Sequence, residues 1–142
     1  MSLLSDFFVA SASELDQNTL RHGPASRFPT VQMRGIDLVL VATLGSIITG
    51  VKDDEMLPQL DPVLDLGENG PWIIQIPEHM QIALKNLGLD RFQDISQQWT
   101  SNDEWNAQTN AFKNAQAVLE HLHDMASQAT QEHKHLYMWL CL

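Results

Sequence analysis

The sequence predicts an α+β domain with a small, mostly antiparallel sheet that contains both chain termini and is covered by helices on one face. Strand-like segments lie at the two ends of the chain, over residues 6–11 and 136–142. Between them, residues 101–130 have helical periodicity. Strands from both termini that enclose helices are typical of the α+β class. The length of 142 residues matches one domain.

The most regular segment is a long amphipathic helix over about residues 101–131. Its apolar stripe alternates steps of three and four, which places every member on one helix face. The stripe consists of Trp105, Gln108, Phe112, Ala115, Leu119, Leu122, Ala126 and Ala129. Ser101, three residues before Glu104, predicts a capping box that starts the helix. The stripe is narrower than the usual face of a globular helix, which favours packing along one neighbour, including a second copy of the chain.

The N-terminal elements are predicted from short apolar segments and from the capping and turn residues between them. Residues 6–11 are predicted as the first strand, and Ser11 or Ser13 caps a short helix. Glycine and two prolines make residues 21–29 a loop. Residues 30–33 are a second candidate strand.

The middle of the chain contains residues that favour a helix and residues that favour a strand. Residues 36–49 have helical spacing, although residues 38–41 favour a strand by composition. Fourteen residues are long for a strand, and Gly50 is a helix stop signal, so we predict a buried helix. Residues 52–71 are rich in proline, glycine and acids, which predicts a long irregular connection with a function or with poor order.

The C-terminal half is predicted to contain short strands and helices. We predict a strand over residues 72–76, a helix over residues 78–87 and a second helix capped by Asp90. Residues 136–142 are mostly apolar and are predicted as a buried strand. The tryptophans lie beside other apolar residues and are predicted to pack in the core; they are Trp72, Trp99, Trp105 and Trp139.

The charge distribution excludes some partners and favours others. Eighteen acids face eight bases, which gives a formal net charge of -10. Nucleic acids and anionic membranes require clustered Lys and Arg, and the bases here are scattered. A basic protein partner is compatible with the charge. We expect such a partner to contact the acids of the irregular connection: Asp53, Asp54, Glu55, Asp61, Asp65 and Glu68.

Signatures of enzymes are absent from the sequence. No glycine-rich phosphate loop and no G-x-S-x-G motif occurs, so no cofactor is expected. His133 and His135 are a candidate metal pair, because a strand would place them on one face. The favoured interpretation is instead a helix-to-strand turn that carries the two histidines on the surface. An alternative function is therefore a small metal-dependent hydrolase built from dispersed histidines and carboxylates, with His22 and His79 as further candidates.

The single cysteine, Cys141, excludes an internal disulfide and is expected to be a buried thiol. The longest apolar stretch, residues 38–48, is too short to span a bilayer. The first residues lack the basic start of a secretory signal. We therefore expect a cytoplasmic protein.

Three short segments resemble small bacterial proteins of unknown function. They are residues 4–10, residues 47–50 after an apolar helix, and residues 136–140 near the end of the chain. The resemblance implies no catalytic residue and no ligand. Together, these observations favour a non-enzymatic acidic domain that binds a protein or self-associates, for example an inhibitor of the immunity or antitoxin type.

Overall fold

The computed structural model describes residues 3–101, 105 and 111–142, with side chains from residue 113 onward in the last range. Five strands form one antiparallel sheet in the order β2-β1-β5-β4-β3. The strands are β1 (Leu4–Ala10), β2 (Thr30–Arg34), β3 (Pro62–Asp65), β4 (Trp72–Gln75) and β5 (His135–Cys141). β1 and β5, from opposite ends of the chain, pair along the full length of both strands. The predicted α+β fold with both termini in the sheet is confirmed.

Six α-helices of the described residues connect these strands. They are α1 (Gln17–His22), α2 (Leu38–Thr49), α3 (Asp53–Met56), α4 (Glu78–Lys85), α5 (Phe92–Thr100) and α6 (Ala111–Gln131). α6 packs against α4 and α5 and lies across β1 and β5. None of the helices in the described ranges combines the length and the apolar character that crossing a bilayer requires.

Both faces of the sheet are covered, whereas the sequence predicted cover on one face. The larger core joins the helices to side chains such as Phe7 and Val9 of β1. A smaller core lies on the opposite face and includes Phe8, Phe28 and Trp139. Because successive side chains of a strand point to opposite faces, β1 contributes to both cores. The chain after β1 provides the second layer, through α1 and the turn that follows it.

α2 confirms the helical interpretation of residues 36–49. The Asp37 carboxylate accepts a hydrogen bond from the Leu40 backbone N–H at 2.8 Å, which caps the helix at its start. Gly50 ends it with φ 81°, in the left-handed region that a glycine adopts without strain. The helix therefore begins and ends at residues whose chemistry favours those positions.

Residues 52–71 are more regular than predicted. They contain α3, a single 3₁₀ turn at Leu57–Gln59 and the edge strand β3. The expectation of a long irregular connection is wrong, because Met56 and Leu60 are buried in the larger core and fix the segment to the fold. A proline starts β3, and this is a position where a strand tolerates the lost N–H.

The long helix is confirmed from Ala111 to Gln131, but its predicted start is wrong. Ser101 ends α5, where its hydroxyl donates to the Gln97 carbonyl oxygen at 3.0 Å. Glu104, Gln108 and the Phe112 side chain lie outside the described residues. The other stripe members are buried: Trp105, Ala115, Leu119, Leu122, Ala126 and Ala129.

The stripe of α6 is also wider than the spacing of its members suggested. Val118 and Met125 are buried beside it, so α6 presents an ordinary globular face to helices and strands of its own chain. The inference that a narrow stripe packs along one neighbour is therefore wrong, and the stripe gives no support for a second copy. Two smaller predictions also fail: Arg91, rather than Asp90, precedes α5, and Cys141 is only half-buried.

Candidate functional site

The six acids singled out from the sequence all lie on the surface. Asp53, Asp54 and Glu55 form the first turn of α3, and Asp65 ends β3. Asp61 and Glu68 flank that strand and are exposed, like the other four. We call residues 53–68 the acidic segment.

The carboxylates of the acidic segment have no ionic partner among the described residues. The ion pairs among the described residues lie elsewhere in the fold. They join Arg27 to Asp16 at 2.6 Å and Lys134 to Glu14 and Glu132 at 3.3 and 3.9 Å. Within the described residues, Asp65 alone of the six acids has a side-chain hydrogen bond, in which its carboxylate accepts the Gly67 N–H at 3.0 Å. The negative charge of this segment is therefore left to solvent or to a partner.

The acidic segment also carries exposed apolar side chains. Leu57, Val63 and Leu66 are 41 %, 48 % and 43 % exposed. Val63 lies on β3, which is an edge of the sheet and, among the described strands, pairs with β4 alone. Aliphatic side chains beside an open strand edge are typical of a surface that another chain covers. Sequence analysis identified the acids and missed these apolar neighbours.

The histidine pair does not have the predicted geometry. His133 has φ 58° and lies in the turn before β5, whereas His135 is the first residue of that strand. The metal-pair alternative, with both imidazoles on one strand face, is therefore wrong, whereas the favoured interpretation of a helix-to-strand turn is confirmed at His133. The two histidines line a cavity of about 250 Å³ together with Glu78 and Gln81. Within the described residues, no group of three or more His, Cys, Asp or Glu side chains is placed to hold a metal ion.

Two of the other histidines make contacts with neighbouring elements of the fold. A ring nitrogen of His79 lies 2.7 Å from the Gln59 side-chain oxygen on the surface. His123 is half-buried, and its Nδ1 lies 2.7 Å from the Leu84 carbonyl oxygen, which fits a hydrogen bond that the ring donates. His123 therefore links α6 to α4 rather than facing solvent.

A second candidate site lies on the sheet face opposite the larger core. It is a cavity of about 470 Å³, and we call it the Asp6 cavity. Its floor comes from three paired strands, since Gln32 of β2, Asp6 of β1 and Trp139 of β5 are direct cross-strand neighbours. Its wall comes from the end of α1, and Arg34 also lines it. The full lining is Leu4, Asp6, His22, Gly23, Ala25, Gln32, Met33, Arg34 and Trp139.

Asp6 is the unusual residue of this cavity. Only 5 % of it is exposed, although it lies in a strand that is otherwise largely apolar. Burial raises the pKa of its carboxyl above the ordinary value, and a hydrogen bond from the Met33 backbone opposes that rise. No cationic side chain of the described residues lies within 4.0 Å of it. In the sequence, Asp6 is part of a predicted strand and has no predicted role.

Two local features hold the wall of the Asp6 cavity in place. The Trp139 indole N–H donates to the Leu20 carbonyl oxygen at 2.8 Å, which fixes the ring beneath α1. Gly23 has φ 87°, and a Cβ at this position would lie 3.3 Å from the Trp139 ring. The glycine therefore allows the chain to turn directly over the indole. His22, one residue earlier, is exposed at the mouth of the cavity.

Comparisons with known proteins show a similar fold. No protein-family model matches the sequence, and no curated protein matches it. Among solved structures, the chain is similar to YfbM from Escherichia coli, which is described as a protein of unknown function. The alignment covers 96 % of this chain and 99 % of that chain, with a TM-score of 0.54 and 12 % identity. At this identity the likeness establishes the fold alone, and no site residue is transferred from it.

Proposed function

We propose that this protein binds a basic protein partner through the acidic segment, as an inhibitor of the immunity or antitoxin type binds a basic enzyme. One observation carries the proposal. Six exposed carboxylates without ion-pair partners among the described residues share residues 53–68 with three exposed aliphatic side chains. Charge and apolar surface thus occur in one continuous stretch of chain.

The two kinds of side chain would contribute differently to binding. The carboxylates attract a positively charged surface over a distance and so increase the association rate, an effect that salt screens. Leu57, Val63 and Leu66 would provide the contact area that water leaves on binding. The formal net charge of -10 gives the whole molecule a field of the same sign. A basic partner is therefore favoured over an acidic or neutral one.

The test begins with capture of partners from the native host, followed by a titration with the purified partner. The key variant carries Asp53→Asn, Asp54→Asn and Glu55→Gln, which removes three charges and preserves side-chain size. Each exposed ion pair contributes up to about 1 kcal/mol, so we expect an affinity about tenfold lower for this variant. Affinity of the unmodified protein should also fall as salt is raised.

A second triple variant provides the matched control. Asp94→Asn, Glu120→Gln and Asp124→Asn remove the same charge from exposed positions on α5 and α6. We expect its affinity to stay within about twofold of the unmodified protein, because the local field decays within roughly 10 Å at ordinary ionic strength. Equal losses in the two triple variants, or an affinity that salt does not change, would contradict the proposal.

A further inference from the structure

The Asp6 cavity contains charges of both signs that do not neutralise one another. Asp6 lies at the floor, nine-tenths buried, and no cationic side chain of the described part of the chain lies within 4.0 Å of it. Arg34 and His22 line the same cavity nearer its mouth and are exposed. A buried charge without a counter-charge is costly, even where one backbone N–H donates to it as Met33 does here. This arrangement leaves the carboxylate open to a cation that enters from solvent.

We propose that the Asp6 cavity binds a small zwitterion of amino-acid size, with its ammonium group on Asp6 and its carboxylate on Arg34. The volume of about 470 Å³ is within the range of small-molecule sites. The ligand is a free small molecule, and this role is separate from protein binding by the acidic segment.

The ammonium end is assigned from the floor of the cavity. Asp6 and Trp139 are directly opposed on β1 and β5, and such neighbours have Cβ atoms about 4.5–5.5 Å apart. An ammonium group that contacts the carboxylate therefore also lies beside the indole. A cation near a tryptophan ring gains a further attraction, which increases when water is excluded. The floor is thus suited to a primary amine more than to a neutral group.

The carboxylate end is assigned from the mouth of the cavity. Arg34 is two residues beyond Gln32, the direct partner of Asp6, so Asp6 and Arg34 are diagonal neighbours. Diagonal positions in an antiparallel pair are about 7–8 Å apart. A molecule of amino-acid size can contact both side chains with its two charged ends. A guanidinium binds carboxylates through paired hydrogen bonds, and a simple amine without a carboxylate would leave Arg34 unpaired.

The experiment measures binding of free amino acids by calorimetry and by thermal shift. The probes are the twenty free amino acids and γ-aminobutyrate. For every probe that binds, the amine without the carboxylate and the acid without the amine are titrated as well. We expect at least one zwitterion to bind with a dissociation constant below about 1 mM, and its two singly charged analogues to bind at least about tenfold more weakly.

Variants connect any binding to the cavity. Asp6→Asn and Arg34→Gln should each weaken it about tenfold or more, since each removes the charge that strengthens the hydrogen bonds to one end of the ligand. Arg21→Gln is the control, because Arg21 is an exposed cation beside His22 that does not line the cavity. Arg34 is exposed, so its variant remains informative even if the Asp6 variant folds poorly. The proposal would be overturned if no zwitterion binds, or if the singly charged analogues bind as tightly as the zwitterion. It would also be overturned if both cavity variants bind as tightly as the unmodified protein.

Discussion

Gln81 is a buried residue of α4 that holds three elements together, and replacing it is expected to destabilise the fold substantially. Its side-chain oxygen accepts the Leu136 N–H at 3.0 Å. Its nitrogen donates to the Thr130 hydroxyl and to the Lys134 carbonyl oxygen, each at 3.3 Å. One amide thus joins α4 to the end of α6 and to the start of β5.

The effect of Gln81→Leu can be estimated from these three bonds. The Leu136 N–H is buried and would lose its side-chain acceptor, which costs about 1–3 kcal/mol. The two other partners are half-buried, and Thr130 also bonds the Ala126 carbonyl oxygen, so each loss costs about 0.5–1 kcal/mol. The apolar leucine recovers about 1 kcal/mol through burial. We expect a net loss of about 2 kcal/mol in the free energy of unfolding.

Urea unfolding followed by circular dichroism and by tryptophan fluorescence measures this loss. For 142 residues the entropy of unfolding is about 0.3 kcal/mol/K, so the melting temperature should fall by about 7 °C. We expect the two signals to report one cooperative transition with an unchanged m-value. Gln93→Leu, the same change at an exposed position of α5, is the control and should alter the free energy by less than about 0.5 kcal/mol.

Gln81→Glu separates hydrogen bonding from size. The carboxylate still accepts the Leu136 N–H but cannot donate to Thr130 or to the Lys134 carbonyl. Its destabilisation should diminish in acid, where a protonated carboxyl regains one donor. If Gln81→Leu proves as stable as Gln93→Leu, the bridge between α4, α6 and β5 contributes nothing, and the reasoning from buried hydrogen bonds is refuted.

Three further predictions concern the two cores. Gly23→Ala should cost about 2 kcal/mol in urea unfolding, because φ is 87° and the new methyl would lie 3.3 Å from the Trp139 ring. Burial raises the pKa of Asp6, so the unfolded chain loses this proton at lower pH than the folded chain. The free energy of unfolding should therefore fall as pH rises from the ordinary aspartate pKa through the raised pKa of the folded state. Asp6→Asn should abolish this pH-dependent loss and be more stable than the unmodified protein at neutral pH. Trp99→Phe should cost about 2–3 kcal/mol, since it removes the 2.9 Å hydrogen bond to the Leu40 carbonyl oxygen and part of a buried ring.

The elements that the sequence predicted best are those whose own residues indicate burial or a boundary, without reference to distant parts of the chain. β5 is apolar at nearly every position, and it forms the centre of the sheet with both faces covered. α2 ends at Gly50, as predicted, and Asp37, which the sequence analysis did not single out, caps its start. Local chemistry decides these elements, so neighbours far along the chain are not needed to recognise them.

The elements that the sequence missed depend on distant neighbours. β3 is short, begins with proline and lies among acids, so composition alone favours a loop. It forms because β4 offers a free edge for pairing. Ser11, one of the two serines predicted to cap the first helix, starts the 3₁₀ turn Ala12–Glu14, and its N–H donates to the Glu14 carboxylate at 2.8 Å. α1 follows as a separate helix, which the Asp16 carboxylate caps by accepting the Thr19 N–H at 2.8 Å. Local signals of equal strength cannot rank these caps.

The Asp6 cavity was not predictable for the same physical reason. A strand buried on both faces loses the alternation that separates inward from outward positions, so a lone aspartate in β1 reads as a solvent-facing residue. Its burial depends on α1 and its following turn, which lie over the end of the sheet. His22 was noted from the sequence, but its proximity to Asp6 and Arg34 is a product of that packing.

The contrast between the two layers indicates why the Asp6 cavity is the place to search for a ligand. On the helical side, the sheet faces a continuous layer of large aliphatic and aromatic side chains that leaves β1 well packed. On the other side, a short helix and a turn cover the sheet, and a carboxyl group occupies a position that an aliphatic side chain could fill. A buried acid without a cation lowers the stability of the folded state. Binding of a cationic group at Asp6 would reverse that cost, because the ligand supplies the charge that the described chain does not.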